Sequence, residues 1–166
     1  MLKRFSERAR RVIVLATEEA RRRRHGAVGP EHLLLGILRD GEGMGVALLA
    51  QFGVNLDALR AETERVLHEM SATAAGGAVE LSGELKRVLE AALAIDAQHC
   101  RRHVGTEHLV GALLADEDLP AFGIVRAAGA DLDRVRRLLG MGRRMFRRAS
   151  EDSVHLIATS KWRVRI

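Results

Sequence analysis

Two short segments set a carboxylate and an imidazole at the same point of a helix start: Gly29-Pro30-Glu31-His32 and Gly105-Thr106-Glu107-His108. In each, a glycine breaks the preceding chain and the next residue opens a helix, so that Glu31 or Glu107 falls inside the first turn. A first turn carries backbone N–H groups without intrahelical acceptors, together with the positive end of the macrodipole. A glutamate there complements that dipole, which is the plain structural reading of both residues. The same arrangement also suits a ligand that carries both charges, its cation on the carboxylate and its phosphate on the helix terminus. Phosphorylated arginine is a ligand of that kind.

Other reactive chemistry is thin. His99 and His103 are spaced i to i+4 beside Cys100, with His108 following, which puts two imidazoles on one helix face. A zinc site needs three or four ligands, so exposed histidines at a helix end are the preferred reading. The sequence contains no G-x-x-x-x-G-K-[ST] phosphate loop, no H-E-x-x-H and no G-x-S-x-G. Its single cysteine has no recognisable nucleophile setting. These patterns predict a protein that is not an enzyme and uses no cofactor.

The elements that must position the two glutamates come from a duplication. Val28 to Asp40 recurs 76 positions on as Val104 to Asp116, and ten of the 32 ungapped pairs from Gly29/Gly105 to Arg60/Arg136 are identical. The same offset pairs Ser6 with Ser82, Arg11 with Arg87 and Ala16 with Ala92. Within each copy the apolar spacing predicts four helices. Ser6 caps a first helix with Ala9, Val12, Ile13, Ala16 and Ala20 inward, and the run Arg21 to Arg24 reads as its dipole-matched C-terminus, with nucleic acid or an acidic partner as the alternatives. Gly26 and Gly29 break it. Pro30 opens a second helix, Gly53 stops a third, and Asn55 caps a fourth. Ser82, Gly105, Pro120, Gly129 and Asp131 repeat that punctuation. The expected fold is all-α: a pseudo-twofold bundle of two four-helix repeats, eight helices in all, followed by an irregular basic tail. Repeat one spans 2–70 and repeat two 78–140, within a domain of 1–140. Ser71 to Glu80 reads as a flexible linker, and no convincing strand is seen before residue 152.

Charge and composition bound the partners. The net charge of +5 resides in 141–166, which hold seven Lys/Arg against two Asp/Glu, leaving twenty of each sign in 1–140. A neutral body, in a chain without Tyr and with a single Trp, does not resemble a nucleic-acid binder. No apolar run approaches the roughly 18 residues of a membrane span, and the Arg-rich start contains Glu7 and continues into a helix. The chain therefore reads as a mature cytoplasmic protein. Its tail, with Val154, Leu156, Ile157 and Trp162, is either a loose arm or a segment packed on the bundle.

At SERARRVIVLATEEA (Ser6 to Ala20), GPEHLLLGILRDGEG (Gly29 to Gly43) and GTEHLVGALL (Gly105 to Leu114), the chain resembles the N-terminal Clp repeat domain of Clp-type unfoldase ATPases, the ClpC kind in particular. The resemblance covers about residues 2–140. It implies a double-repeat bundle that recruits adaptors and substrates to a Clp ATPase. It further implies that Glu31 and Glu107 recognise the guanidinium of phosphoarginine, with Gly29, Gly105 and Thr106 around the phosphate. Pro30 departs from the family's threonine and removes a hydroxyl and an N–H from the first site. Leu81-Ser82 stands where an aromatic residue and threonine are usual. The ATPase modules are missing, and the tail is unlike the usual linker into one, which favours a free-standing protein. Two rival functions remain: a decoy that sequesters ligands of the ATPase N-domain, and a nucleic-acid-associated protein acting through the tail.

Overall fold

The computed structural model describes residues 2–70, 72, 79–98 and 103–138. After a 3-10 turn at Leu2–Arg4 come α1 (Glu7–Arg22), β1 (Ala27–Val28), α2 (Pro30–Asp40), α3 (Met44–Gln51) and α4 (Leu56–Glu69). The second copy supplies β2 (Glu80–Leu81), α5 (Gly83–Gln98), α6 (Thr106–Ala115), α7 (Pro120–Ala127) and α8 (Leu132–Leu138). The fold is all-α with eight helices among the described residues, in two pseudo-equivalent sets of four.

The expected caps are in place. Ser6 Oγ accepts from the Ala9 amide at 3.1 Å and Ser82 Oγ from Leu85 at 3.1 Å. Asn55 Oδ1 accepts from Asp57 and Ala58, and Asp131 Oδ1 from Arg134. Each side-chain oxygen answers an N–H that the first turn leaves without a partner. Gly53 and Gly129, 76 positions apart, adopt φ of +80° and +93° and close α3 and α7. Their amides bond back to Ala50 and Arg126, while Val54 and Ala130 reach Leu49 and Val125, the Schellman pattern in both copies.

The end of α1 differs from expectation. The stop comes at Arg24, two residues before Gly26, with φ of +58°. Arg24 donates to the Arg21 carbonyl and His25 to Ala20, so the glycine position of a Schellman motif is held by an arginine. Arg22 and Arg23 turn back onto the buried Glu19, at 2.7 and 3.4 Å, and Arg39 of α2 joins them at 2.8 Å. The arginine run is thus tied down by one carboxylate as well as matched to the dipole.

Two helices form the centre. In α2, Leu33, Leu34, Leu35, Ile37 and Leu38 are all buried, and in α6 so are Leu109, Val110, Leu113 and Leu114. A helix apolar all round must be enclosed, and these two are covered by α1 and α7 and by α5 and α3 respectively. At the α1/α2 crossing, Gly36 lets the backbones close up: a Cβ there would stand 2.7 Å from the Val12 carbonyl oxygen.

The copies interlock. The third helix of each packs on the central helix of the other, α3 on α6 and α7 on α2. Asn55 donates to the Ala128 carbonyl at 3.2 Å, and its counterpart Asp131 donates to Phe52 at 3.0 Å. The start of each copy also pairs in parallel with the other's connector, Val28 with Leu81 and Phe5 with Val104. These pairings are one or two residues long, too short to give any period in the sequence, which is why no strand was expected there. Their amides answer in kind: Ser82 to Val28 at 2.9 Å, Ser6 to Val104 at 2.9 Å. One hydrophobic core runs through both copies, from Phe5 and Val12 to Ile124 and Val135. Of the expected linker, Glu80 belongs to β2, while Ser71 and 73–78 lie outside the described residues, as does the tail 141–166.

Candidate functional site

Both helix starts carry the expected residues at equivalent positions: Gly29 and Gly105 as N-caps, Pro30 and Thr106 first in the helix, Glu31 and Glu107 second. The N-cap glycines have extended backbones, φ of −98° and −89°, which any residue could adopt. The space beside each glycine is taken by its glutamate. A Cβ at position 29 would lie 2.6 Å from Glu31 Oε2, and one at position 105 would overlap the Glu107 carboxylate. Each glutamate folds back over its own N-cap, into the space a side chain there would enter.

Each turn is further held by its histidine. Gly29 N–H donates to His32 Nδ1 at 3.0 Å, and Gly105 N–H to His108 Nδ1 at 2.9 Å. This is the half of a capping box in which the third helical residue reaches back, with imidazole where glutamate or glutamine is usual. Sequence reading had assigned the two histidines no such role, since a histidine at that position has no familiar capping signature. The metal reading loses His108 to this cap; His103 is exposed, and His99 and Cys100 lie outside the described residues. Among the described residues, no group of three or more His, Cys, Asp or Glu could hold a metal ion.

The surroundings of the two sites come from the opposite copy, and there the pseudosymmetry fails. The start of α6 lies against α3. Thr106 Oγ1 accepts from the Gly45 amide at 2.9 Å, and a Cβ on Gly45 would meet the Thr106 carbonyl oxygen at 2.9 Å. Gly43 sits between Thr106 and Arg8, for a Cβ on it would be 3.3 Å from Thr106 Oγ1 and 2.7 Å from Arg8 Cδ. The Arg8 guanidinium is held there by Asp40 at 2.9 Å and Glu42 at 3.2 Å.

At the first site Pro30 has no hydroxyl for the equivalent bond. The residue 76 positions after Arg8 is Glu84, whose charge pushes against Glu31. Burial raises the Glu31 pKa above the usual carboxylate range; its own backbone N–H opposes the shift and Glu84 adds to it. Glu31 is 5% exposed, whereas the Glu107 side chain is 25% exposed. The second site thus offers a more accessible carboxylate, a threonine and a neighbouring cation; the first offers a buried carboxylate beside another. Arg8, Gly43, Gly45 and Glu84 were not singled out from the sequence, because the offset was read along each copy and not across the interlock that brings α1 and α3 to α6.

Comparison with known proteins agrees with this architecture. The family profile described as Clp repeat (R) N-terminal domain matches residues 4–128. An ATP-dependent Clp protease ATP-binding subunit ClpA homolog of Guillardia theta is 38% identical over 144 residues, 84% of this chain and 18% of that protein. The chloroplastic chaperone protein ClpC1 of Oryza sativa subsp. japonica is 37% identical over 136 residues, 82% of this chain and 15% of that protein. The chain thus spans less than a fifth of the length of these relatives. Among solved structures, the N-terminal domain of Hsp104 from Candida albicans superposes with a TM-score of 0.70 at 22% identity, covering 81% of this chain and 88% of that one. The N-terminal domain of the ClpD chaperone from Arabidopsis thaliana gives 0.64 at 25% identity, covering 84% and 96%.

The expectation of a cytoplasmic protein is corrected by the same comparison. The relatives from rice, rape, tomato and Arabidopsis are named chloroplastic, so the expectation of a strictly cytoplasmic location does not stand. Charge and cysteine usage do not single out one compartment.

Proposed function

The chain belongs to the Clp repeat N-terminal domain family, a non-catalytic protein-interaction module of the Clp chaperone system, and from that premise we propose that it recognises phosphoarginine-marked substrates or adaptors at the start of α6. Glu107 takes the guanidinium, and the N-terminal turn at Gly105 and Thr106 takes the phosphate. The observation that carries this reading is the accessible Glu107 carboxylate folded over Gly105 at a helix terminus, with Arg8 and Thr106 both against Gly43. A carboxylate and an oriented set of N–H dipoles within one turn match a ligand whose cation and dianion are adjacent.

The first site, at Gly29 and Glu31, is the weaker of the two. Pro30 supplies no N–H at the first helical position, burial opposes ionisation of Glu31, and Glu84 repels a phosphate. Through the second site the domain delivers bound proteins to a Clp ATPase. Calorimetry with free phosphoarginine tests the reading: tight binding lost in Glu107→Ala and little changed in Glu31→Ala supports it. Equal affinities at both sites, or normal binding by Glu107→Ala, overturns it.

A further inference from the structure

The structure holds a second polar device in the first repeat that ligand recognition does not use. His32 is fully buried, His25 is 3% exposed, and His25 Nδ1 lies 2.8 Å from His32 Nε2, the rings edge to face. We propose that this pair is an acid-sensitive latch, a neutral relay joining the start of α2 to the ends of α1 and α4, which opens when either imidazole takes up a proton.

The hydrogen bonds allow one arrangement of protons. His32 Nδ1 accepts from the Gly29 N–H, so the neutral ring carries its proton on Nε2. That proton points at His25 Nδ1, which must accept it. His25 is then protonated on Nε2 and donates to the Met70 carbonyl, just beyond α4; its hydrogen bond to that backbone favours a protonated ring, as a bond to a carbonyl does. Three links are thus made with two ring protons, and a third proton has no acceptor. On His32 it would face the Gly29 N–H, donor against donor. On His25 it would face the His32 Nε2–H in the same way, and a switch of His32 tautomer would break the Gly29 link instead.

The surroundings resist charging but do not prevent it. Burial lowers both pKa values, that of His32 to about 4, with His25 and Arg23 acting in the same direction on His32 and Glu19 against. Arg23 and Glu19 face the pair from the end of α1, Glu31 adjoins it on α2, and α4 contributes the Met70 carbonyl. The second repeat lacks the pair. His108 makes the same cap to Gly105, but the residue equivalent to His25 is Arg101 and not a second imidazole. The latch therefore belongs to the first repeat alone.

Nitrogen NMR of the histidine rings, combined with hydrogen exchange, tests this independently of any ligand. At neutral pH both rings should show the neutral tautomer with the proton on Nε2. As pH falls below about 6.5, the opening constant reported by Gly29 exchange, corrected for its intrinsic pH dependence, should rise about tenfold per pH unit, since the open state binds one more proton. His32→Gln supplies a cap that does not titrate and should abolish the acid response at Gly29. A charged His32 or an Nδ1–H tautomer at neutral pH, or an undiminished response in His32→Gln, would overturn the proposal. The tautomer measurement on the unaltered chain decides the matter even if the variant folds poorly.

Discussion

Thr106→Val measures what the Thr106 hydroxyl does for the fold. The hydroxyl accepts the Gly45 amide at 2.9 Å, from the second residue of α3, an N–H that no carbonyl of its own helix can reach. Both residues are buried, Thr106 at 3% exposure, and α3 approaches so closely that the Thr106 carbonyl oxygen would lie 2.9 Å from a Cβ on Gly45. Valine keeps the shape and removes the acceptor, leaving a buried donor unsatisfied at a cost of about 1–3 kcal/mol. Taking about 2 kcal/mol, and roughly 2–4 °C per kcal/mol for a domain of this size, Tm should fall by about 4–8 °C. Urea unfolding should show the lower midpoint at unchanged slope, the mark of a loss of stability without a change in the surface exposed. If Thr106→Val lies within about 0.5 kcal/mol of the parent, the inter-repeat cap contributes nothing and the reasoning fails.

Other variants extend the test. Gly36→Ala sets a methyl 2.7 Å from the Val12 carbonyl oxygen, where no rotamer can relieve it, and should destabilise by about 1–3 kcal/mol, whereas Gly123→Ala in α7 meets nothing within 4 Å and should stabilise by up to about 1 kcal/mol. Chemical denaturation midpoints that move in the same direction would contradict the packing described. Burial disfavours ionised Glu31, whose folded pKa is raised, so its contribution to stability is fully present below the unfolded value and lost as pH rises through the folded one. Glu31→Gln should therefore melt higher than the parent at neutral pH, with the gain disappearing in acid; a lower Tm at neutral pH would show that the carboxylate has a partner worth more than its burial. Glu19 runs the other way. Burial raises its pKa, but the Arg22 hydrogen bond and the charges of Arg22, Arg39 and Arg23 pull it net below the usual range, so its stabilisation is present above the unfolded value and lost as pH falls through the folded one. In Glu19→Gln the acid limb of a Tm-against-pH profile should flatten, and an unchanged limb would count against this network.

Much of the fold could be read from residue types because its signals are local. Ser6, Asn55, Ser82 and Asp131 cap where their hydroxyls, amide or carboxylate can reach a first-turn N–H, and Gly53 and Gly129 stop helices that need a left-handed residue. The 76-residue offset then doubles every such inference. Where reading failed, the cause was non-local. The parallel pairings of Val28 with Leu81 and Phe5 with Val104 join residues about 50 and 100 positions apart, with no pattern of their own. Arg24 in the glycine position was missed because Gly26 offered a conventional stop, while the buried His25 that follows fixes the turn.

The geometry of the candidate site was half legible in the sequence. Glu31, Glu107 and their glycines followed from the motif, and Pro30 against Thr106 already set the two copies apart. The larger inequality, Arg8 beside one site and Glu84 beside the other, arises because each helix start is finished by the other copy. A search along one copy cannot find it. Applying the offset to residues brought together by the interlock does, since Arg8 and Glu84 are themselves a pair at that spacing.

The central claim is that the start of α6, completed by α1 and α3 of the other repeat, is the main ligand site. Titration of the isotopically labelled chain with free phosphoarginine, followed by amide NMR, tests it most directly. The account predicts that the largest and earliest shifts fall on Gly105, Thr106 and Glu107 with Gly43 and Gly45 across the interface, and that Glu107→Ala removes them. Shifts that begin at Gly29 and Glu31, or that persist at Gly105 in Glu107→Ala, would contradict it.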